Sequence, residues 1–354
     1  MKQSYAYVLA IFALSVVIFI AAGCSQPAST SSNVVATRTG TYSYLGTQSP
    51  GDVWSWTIGE GTFICTNETQ GRYYGGSFTT YTSGFSKAVI SATNDPDVPT
   101  DGSATAYFLE YPNTMLLAMP TGSDNVIVCA ASAATAPSAG QYNFVQIPSP
   151  SWTSTSQSYG TAEASVSGGL YTFNVNKYDL SGNLVETTVE AGYSFSNGRL
   201  TKAGSGLQIF MTPSGAFMGD NGPGSGGFAG AAKQTVSAIA IAAKEYRGVL
   251  FSYNVGTHHD LIEAVGAEPI SGSSNSLSGF IYDNVESGAR QTNTVTLEIG
   301  SQLGNGIVPG IMHYIDGTSD DFDMVVSTLS GKYIILGIAT NRHGQPQNFL
   351  VVEQ

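Results

Sequence analysis

The chain has 354 residues, of which 42% are hydrophobic and only 11% are charged, whereas an ordinary soluble domain is about 25% charged. This apolar content is enough to build packed cores, so wholesale disorder is excluded, and the length allows more than one domain. With 25 acidic and 13 basic residues the net charge is -12. A chain of that charge lacks the positive field that attracts phosphate backbones, so no nucleic-acid partner is predicted.

The first residues of the chain have the pattern of an export signal. Lys2 supplies a positive start, residues 5–20 form an apolar run, and three small residues close it before Cys24. A membrane-spanning helix needs about 20 apolar residues, which is longer than this run. The pattern therefore predicts a secretory signal that ends in small residues.

The closing segment, Ala21-Ala22-Gly23-Cys24, resembles the lipobox of bacterial lipoproteins. The resemblance covers residues 1–24 only. It implies that signal peptide 1–23 is removed and that Cys24 becomes the lipidated, palmitate-bearing first residue of the mature chain. Several acyl chains on one residue hold a protein stably at a membrane. Ser25 resembles the signal for transfer to the outer membrane, so the resemblance implies an envelope protein there if the cell has two membranes.

The sequence from residue 24 to residue 39 is rich in Ser and Thr and has no apolar periodicity, which is typical of a flexible tether. Beyond it, short runs rich in Val, Ile, Thr, Tyr and Phe alternate with turn residues, which predicts an antiparallel all-β fold. Asn197-Gly198 is a strong hairpin signal. Residues 333–339 are apolar at every position, which predicts a strand covered on both faces where two domains or sheets meet.

Two internal matches indicate repeated units. Residues 40–45 recur 100 positions later at 140–145, and residues 108–117 recur at 209–218 after a shift of 101. A weaker third copy of the latter begins at Val325. Two matches at nearly one spacing predict related units of about 100 residues.

The predicted domains are residues 40–135, residues 136–235 and residues 236–354. The second is related to the first, and the third contains about eight strands. Eight antiparallel strands can close into a barrel, whose interior is filled or holds one small ligand, or they can split into a sandwich. A β-propeller is the remaining alternative, although no period of 40 to 50 residues is present.

Cys65 and Cys129 both lie in strand-like apolar runs. In an exported chain, an even pair of cysteines predicts a disulfide. The alternative is a pair of buried free thiols that act as small hydrophobic groups.

Trp54 and Trp56 alternate along one predicted strand, so both indoles lie on one face. Such a face could bind a glycan. The alternative is that the two rings fill the core of a small β-domain, because each ring buries a large apolar area.

The remaining motifs do not indicate catalysis. The sequence contains no G-x-S-x-G motif, and its histidines lack the spacing of metal ligands. No catalytic residue, metal or cofactor is predicted.

The sequence therefore predicts a lipid-anchored cell-envelope protein with a non-catalytic binding or structural role, whose ligand could be a glycan or an envelope protein. One alternative is an enzyme that acts on envelope or extracellular polysaccharide, which needs two facing carboxylates in a cleft. The other is a self-associating surface coat protein.

Overall fold

The computed structural model describes most of the chain beyond the predicted tether. The described residues are 40–48, 52–121, 126–131, 136–147, 158–212, 215–220, 227–252, 258–266, 275–290, 295–329, 331–340 and 346–354. The predicted signal peptide, Cys24 and the tether to residue 39 lie outside them. Among the described residues, no helix is long and apolar enough to cross a membrane.

The first eight strands form a closed antiparallel barrel. The strands are β1 (Tyr42–Gln48), β2 (Asp52–Ile58), β3 (Thr62–Asn67), β4 (Arg72–Thr80), β5 (Ser86–Thr93), β6 (Thr105–Tyr111), β7 (Met115–Pro120) and β8 (Ile127–Ala131). Each strand pairs with the next along the chain, and β1 also pairs with β8 to close the ring. This first barrel has no free sheet edge.

A second closed barrel follows with the same up-and-down order. Its strands are β9 (Gly140–Ile147), β10 (Tyr159–Ser167), β11 (Leu170–Tyr178), β12 (Leu184–Ser196), β13 (Arg199–Thr201), β14 (Gln208–Met211), β15 (Ala216–Asp220) and β16 (Gly227–Ala232). Pairing of β9 with β16 closes it. Asn197 and Gly198 connect β12 to β13, both with positive φ, which is the type I′ geometry that the Asn-Gly pair predicts.

The remaining strands form a third, nine-stranded sheet after a short helix, α1 (Ala238–Ala242). The strands are β17 (Tyr246–Ser252), β18 (His258–Gly266), β19 (Ser276–Asn284), β20 (Ala289–Arg290), β21 (Val295–Ile299), β22 (Val308–His313), β23 (Ser319–Leu329), β24 (Lys332–Thr340) and β25 (Pro346–Glu353). Because β18 also pairs with β19, eight of these strands form a continuous ring, and the short β20 extends from β19. The prediction of tandem all-β domains is confirmed, and of the predicted barrel and sandwich the structure has the barrel.

The segments that recur along the sequence occupy equivalent places in the fold. The first match falls on β1 and β9, which are the first strands of the two barrels. The second match falls on the hairpins β6–β7 and β14–β15, the sixth and seventh strands of their barrels. The weaker third copy falls on β23–β24, the sixth and seventh strands of the third ring. The sequence repeat is therefore a repeat of strand position.

Each of the three units has an apolar interior, and a further apolar cluster lies between them. Strand β24 contributes to two of these clusters. Ile335 and Ala339 face the interior of the third sheet, while Ile334, Leu336 and Ile338 lie in the cluster shared by all three units. This confirms the prediction that the strand is covered on both faces.

Hydrogen bonds cross the boundaries between the units as well. The Tyr111 hydroxyl donates to the Arg247 carbonyl at 2.8 Å and lies 3.3 Å from the Val352 carbonyl, which ties the first barrel to the third sheet. The Asn348 side-chain amide donates to the Gln146 carbonyl at 3.0 Å, which ties the third sheet to the second barrel. The shared core and these bonds join the three units into one packed body.

Candidate ligand-binding site in the second barrel

Trp54 and Trp56, the residues considered for glycan binding, lie inside the first barrel. Their exposed fractions are 8% and 3%. Trp56 stacks on Phe63 with 5.8 Å between ring centroids, and Trp54 stacks on Tyr74 at 5.7 Å. The two indoles fill the core of the barrel and do not form an exposed aromatic face.

Cys65 and Cys129 belong to the same barrel interior. The structure holds both as free, buried thiols. Burial raises the pKa of both, and the charge of the Cys65 thiolate contributes to raising the pKa of Cys129. Both thiols lie in one apolar cluster inside the barrel, and the disulfide between them stays a prediction.

The second barrel contains an apolar lumen of about 170 Å³. The cavity inside the third sheet is smaller, at about 60 Å³. An engineered protein cavity of about 150 Å³ holds one benzene molecule, so the lumen encloses about one aromatic ring, and a larger ligand would extend from it towards solvent. Its apolar lining includes six aromatic side chains: Tyr142, Phe144, Phe173, Tyr193, Phe217 and Phe228.

The wall of the lumen includes two neighbouring strands on which inward and outward side chains strictly alternate. On β11, Phe173, Val175 and Lys177 point inward, at every second residue. On β12, Glu186, Thr188 and Glu190 do the same. The lining of this part of the barrel thus changes along the strands from aromatic to charged.

Glycines on the barrel wall decide how the aromatic rings lie. Gly160 faces Phe144 on the neighbouring strand, and a Cβ at Gly160 would lie 2.2 Å from the Phe144 ring. Gly219 faces Phe228 in the same way, with a distance of 1.9 Å to that ring. Because glycine has no side chain, each ring can lie over the neighbouring strand at these two positions. The rings then leave the centre of the barrel open.

The charged residues of the lumen are paired. Lys177 and Glu186 lie opposite each other in the β11–β12 register, and the ammonium donates to the carboxylate at 2.7 Å. Glu190 accepts a hydrogen bond from the Tyr193 hydroxyl at 3.2 Å and lies 3.6 Å from the Lys202 ammonium. Burial, followed by the charge of Glu190, raises the pKa of Tyr193 to about 12, so this hydroxyl stays protonated and keeps donating.

Exposure increases along the lumen. Tyr193 and Leu200 are fully buried, whereas the side chains of Lys177 and Glu186 are 28% and 46% exposed. The lumen therefore has a closed aromatic part and an open polar end, which suits a ligand with one apolar and one polar portion.

The lumen carboxylates do not have the arrangement of a glycosidase. Glu186 and Glu190 lie four residues apart on one strand, which separates their Cα atoms by about 13 Å. Glycosidases place their two carboxyl groups on opposite sides of the bond that they cleave, whereas Glu186 and Glu190 project from one face of the same strand. Among the described residues, no group of three or more His, Cys, Asp or Glu side chains could hold a metal ion.

Comparisons with known proteins do not identify a ligand or a function for this site. No protein-family model and no curated protein matches the chain. A double mutant of transferrin binding protein B from Haemophilus parasuis Hp5 aligns with 90% of this chain and 76% of its own, at 7% identity and a TM-score of 0.25. A DUF3598-family protein of unknown function from Nostoc punctiforme PCC 73102 aligns with 89% of this chain and 94% of its own, at 10% identity and a TM-score of 0.21. Such low scores carry no argument about function.

Proposed function

We propose that the chain is a lipid-anchored envelope protein whose second barrel binds one small, largely apolar molecule without transforming it. The observation that carries the proposal is the aromatic lumen of about 170 Å³ with an open polar end. A two-ring molecule that buries about 250 Å² of apolar surface gains about 6 kcal/mol. Before the cost of association is subtracted, this corresponds to a Kd of the order of tens of micromolar, which is the tightest binding expected.

This ligand class differs from the glycan or envelope protein that was considered from the sequence. A glycan is bound through many hydroxyl groups, and each needs a hydrogen-bond partner when it loses water. The lumen offers mainly carbon atoms, and its charged groups already pair with one another. An apolar molecule loses no hydrogen bonds on entering it.

The site can be tested by measuring the binding of naphthalenemethanol to the mature protein through the fluorescence of this probe. Val175→Trp places an indole in the lumen, and we expect it to weaken binding about tenfold or more by filling the space. Val189→Trp is the matched control, because Val189 is 65% exposed on the outer face of the neighbouring strand. Equal binding by the two variants, both shown to be folded by circular dichroism, would exclude the lumen as the site.

The anchor has a separate test. Cys24→Ser removes the thiol that the lipobox resemblance assigns to acylation, so we expect the protein to leave the membrane fraction or to stay unprocessed. Ser29→Ala, a few residues further along, should fractionate like the unaltered protein. Normal processing and unchanged membrane association of Cys24→Ser would contradict the anchor without affecting the proposal for the lumen.

A further inference from the structure

The Lys177–Glu186 ion pair lies at the open end of the lumen, where a polar portion of the ligand would sit. We infer that this pair makes the site selective for uncharged ligands. The inference rests on the proposed function, since it concerns which apolar molecules the second barrel accepts. It assigns to two residues a role in specificity that is separate from the space supplied by the aromatic rings.

The first step of the argument is the charge available to a ligand. Lys177 is the one cationic side chain among the described residues that line the lumen, and Glu186 holds its ammonium at 2.7 Å. An anionic ligand would have to displace Glu186 to reach it. It would also face the second carboxylate of the lining, Glu190.

A cationic ligand meets the converse difficulty. Both carboxylates of the lining already have a lysine close by, Lys177 for Glu186 and Lys202 at 3.6 Å for Glu190. An incoming ammonium would compete with these two cations while losing its own water. An uncharged hydroxyl or amide pays neither cost, because it can hydrogen-bond to either member of the pair without separating them.

The pair can be altered without a large effect on the fold. Lys177 and Glu186 face each other across two neighbouring strands, and their side chains are 28% and 46% exposed. Half-exposed ion pairs of this kind contribute little to folding. Changes in ligand preference can therefore be separated from changes in stability.

The experiment compares three probes with the same two-ring body: naphthalenemethanol, naphthoate and naphthylmethylammonium. We expect the unaltered protein to bind the uncharged probe about tenfold more tightly than either ion. E186Q leaves Lys177 without its carboxylate, so the preference for naphthalenemethanol over naphthoate should fall about tenfold. K177M leaves Glu186 without its ammonium, so naphthylmethylammonium should gain by a similar factor.

E163Q is the matched control, because it changes the net charge by the same amount at an exposed position on β10, outside the lumen lining. It should leave all three affinities unchanged. Equal affinities for the three probes, or variants that leave the preference unaltered, would overturn the inference and leave the lumen as a binding site. Binding of none of the probes to the unaltered protein would contradict the proposed function itself. If E186Q failed to fold, K177M would carry the test.

Discussion

Asp323 is a carboxylate held at the contact between the third sheet and the second barrel. It lies on β23 opposite Ile338, a residue of the shared core, and only 9% of it is exposed. Burial, followed by the nearby charge of Asp321, raises the pKa of Asp323 to about 7. The charge of Asp323 in turn contributes to raising the pKa of Tyr159, which belongs to the second barrel.

The raised pKa makes the stability of the protein depend on pH. The folded protein binds the Asp323 proton more tightly than the unfolded chain does, so this stabilisation is full below pH 4 and is lost as pH rises to about 7. We expect Asp323→Asn to raise the free energy of unfolding at pH 8 by up to about 4 kcal/mol, because it removes a carboxylate that is ionised and buried at that pH. Its effect should shrink towards pH 4. Denaturant titrations at pH 4 and pH 8 measure this effect, with Asp97→Asn at an exposed position of the first barrel as the control. An equal effect of Asp323→Asn at the two pH values would contradict the prediction.

The state of Cys65 and Cys129 in the exported protein can be tested directly. Because burial raises the pKa of both thiols, free cysteines here should react only slowly with alkylating reagents in the folded protein, and bonded cysteines should not react. Labelling of the folded protein therefore separates the two states poorly. Labelling after unfolding without reductant separates the two cases. We expect no labelling before reduction and two labelled cysteines after it. Labelling of both without reduction would show that they remain free thiols.

At the level of the element, β12 has the opposite polarity to that expected for a barrel strand. Val189 is 65% exposed on the outside, while Glu186 and Glu190 line the lumen. A sequence pattern that assigns apolar residues to the core places the wrong face of this strand inward. The polar end of the lumen is therefore a feature that periodicity alone does not predict.

The β12–β13 turn is the element whose backbone conformation the sequence predicts most specifically. Gly198 has φ +79°, a conformation that costs a residue with a side chain about 1–2 kcal/mol. We expect Gly198→Ala to destabilise the protein by that amount in thermal unfolding. Gly206→Ala is the control, because a Cβ at Gly206 would meet no atom within 4 Å, and it should be neutral or stabilising by up to about 1 kcal/mol. Equal effects of the two changes would show that the turn does not hold the φ that we describe.

Helix α1 is an element that the sequence does not predict. It has five residues, too few for a helical period to be distinguished from a strand. Ile241 and Ala242 are nevertheless buried in the interior of the third sheet. The segment before the helix is fixed as well, since the Gln302 amide donates to the Gln234 carbonyl at 2.7 Å.

At the scale of the whole molecule, the shared core decides how the protein unfolds. Leu117 of the first barrel is 1% exposed and lies in the cluster common to all three units. We expect Leu117→Ala to cost about 2–5 kcal/mol and to lower the unfolding temperature of the entire body in calorimetry. Leu170→Ala, at a position 49% exposed, should change stability by less than about 0.5 kcal/mol. Separate transitions, with only one displaced by Leu117→Ala, would show that the units unfold independently.

The strands were predictable because their alternation and turn residues are local properties. The sequence repeats predicted strands at equivalent positions of the units. The unbroken apolar run of β24 predicted a strand that is covered on both faces. The shared core was harder to predict, because it needs outward apolar residues such as Leu109 and Met218 to meet across units that are far apart in sequence. The sequence left open whether a barrel interior is filled or holds a ligand, because the volume of the lumen depends on rings that lie over glycines on neighbouring strands.

The shared core also bears on how a ligand could be found. A molecule held in the second barrel at one hundred times its Kd adds about 2.7 kcal/mol to the stability of the folded state. Because that barrel is packed against the other two units, the added stability should delay melting of the whole body. A thermal-shift screen of envelope lipids and small aromatic compounds would then report occupancy of the lumen through any probe of unfolding, including the fluorescence of Trp54 and Trp56 in the first barrel.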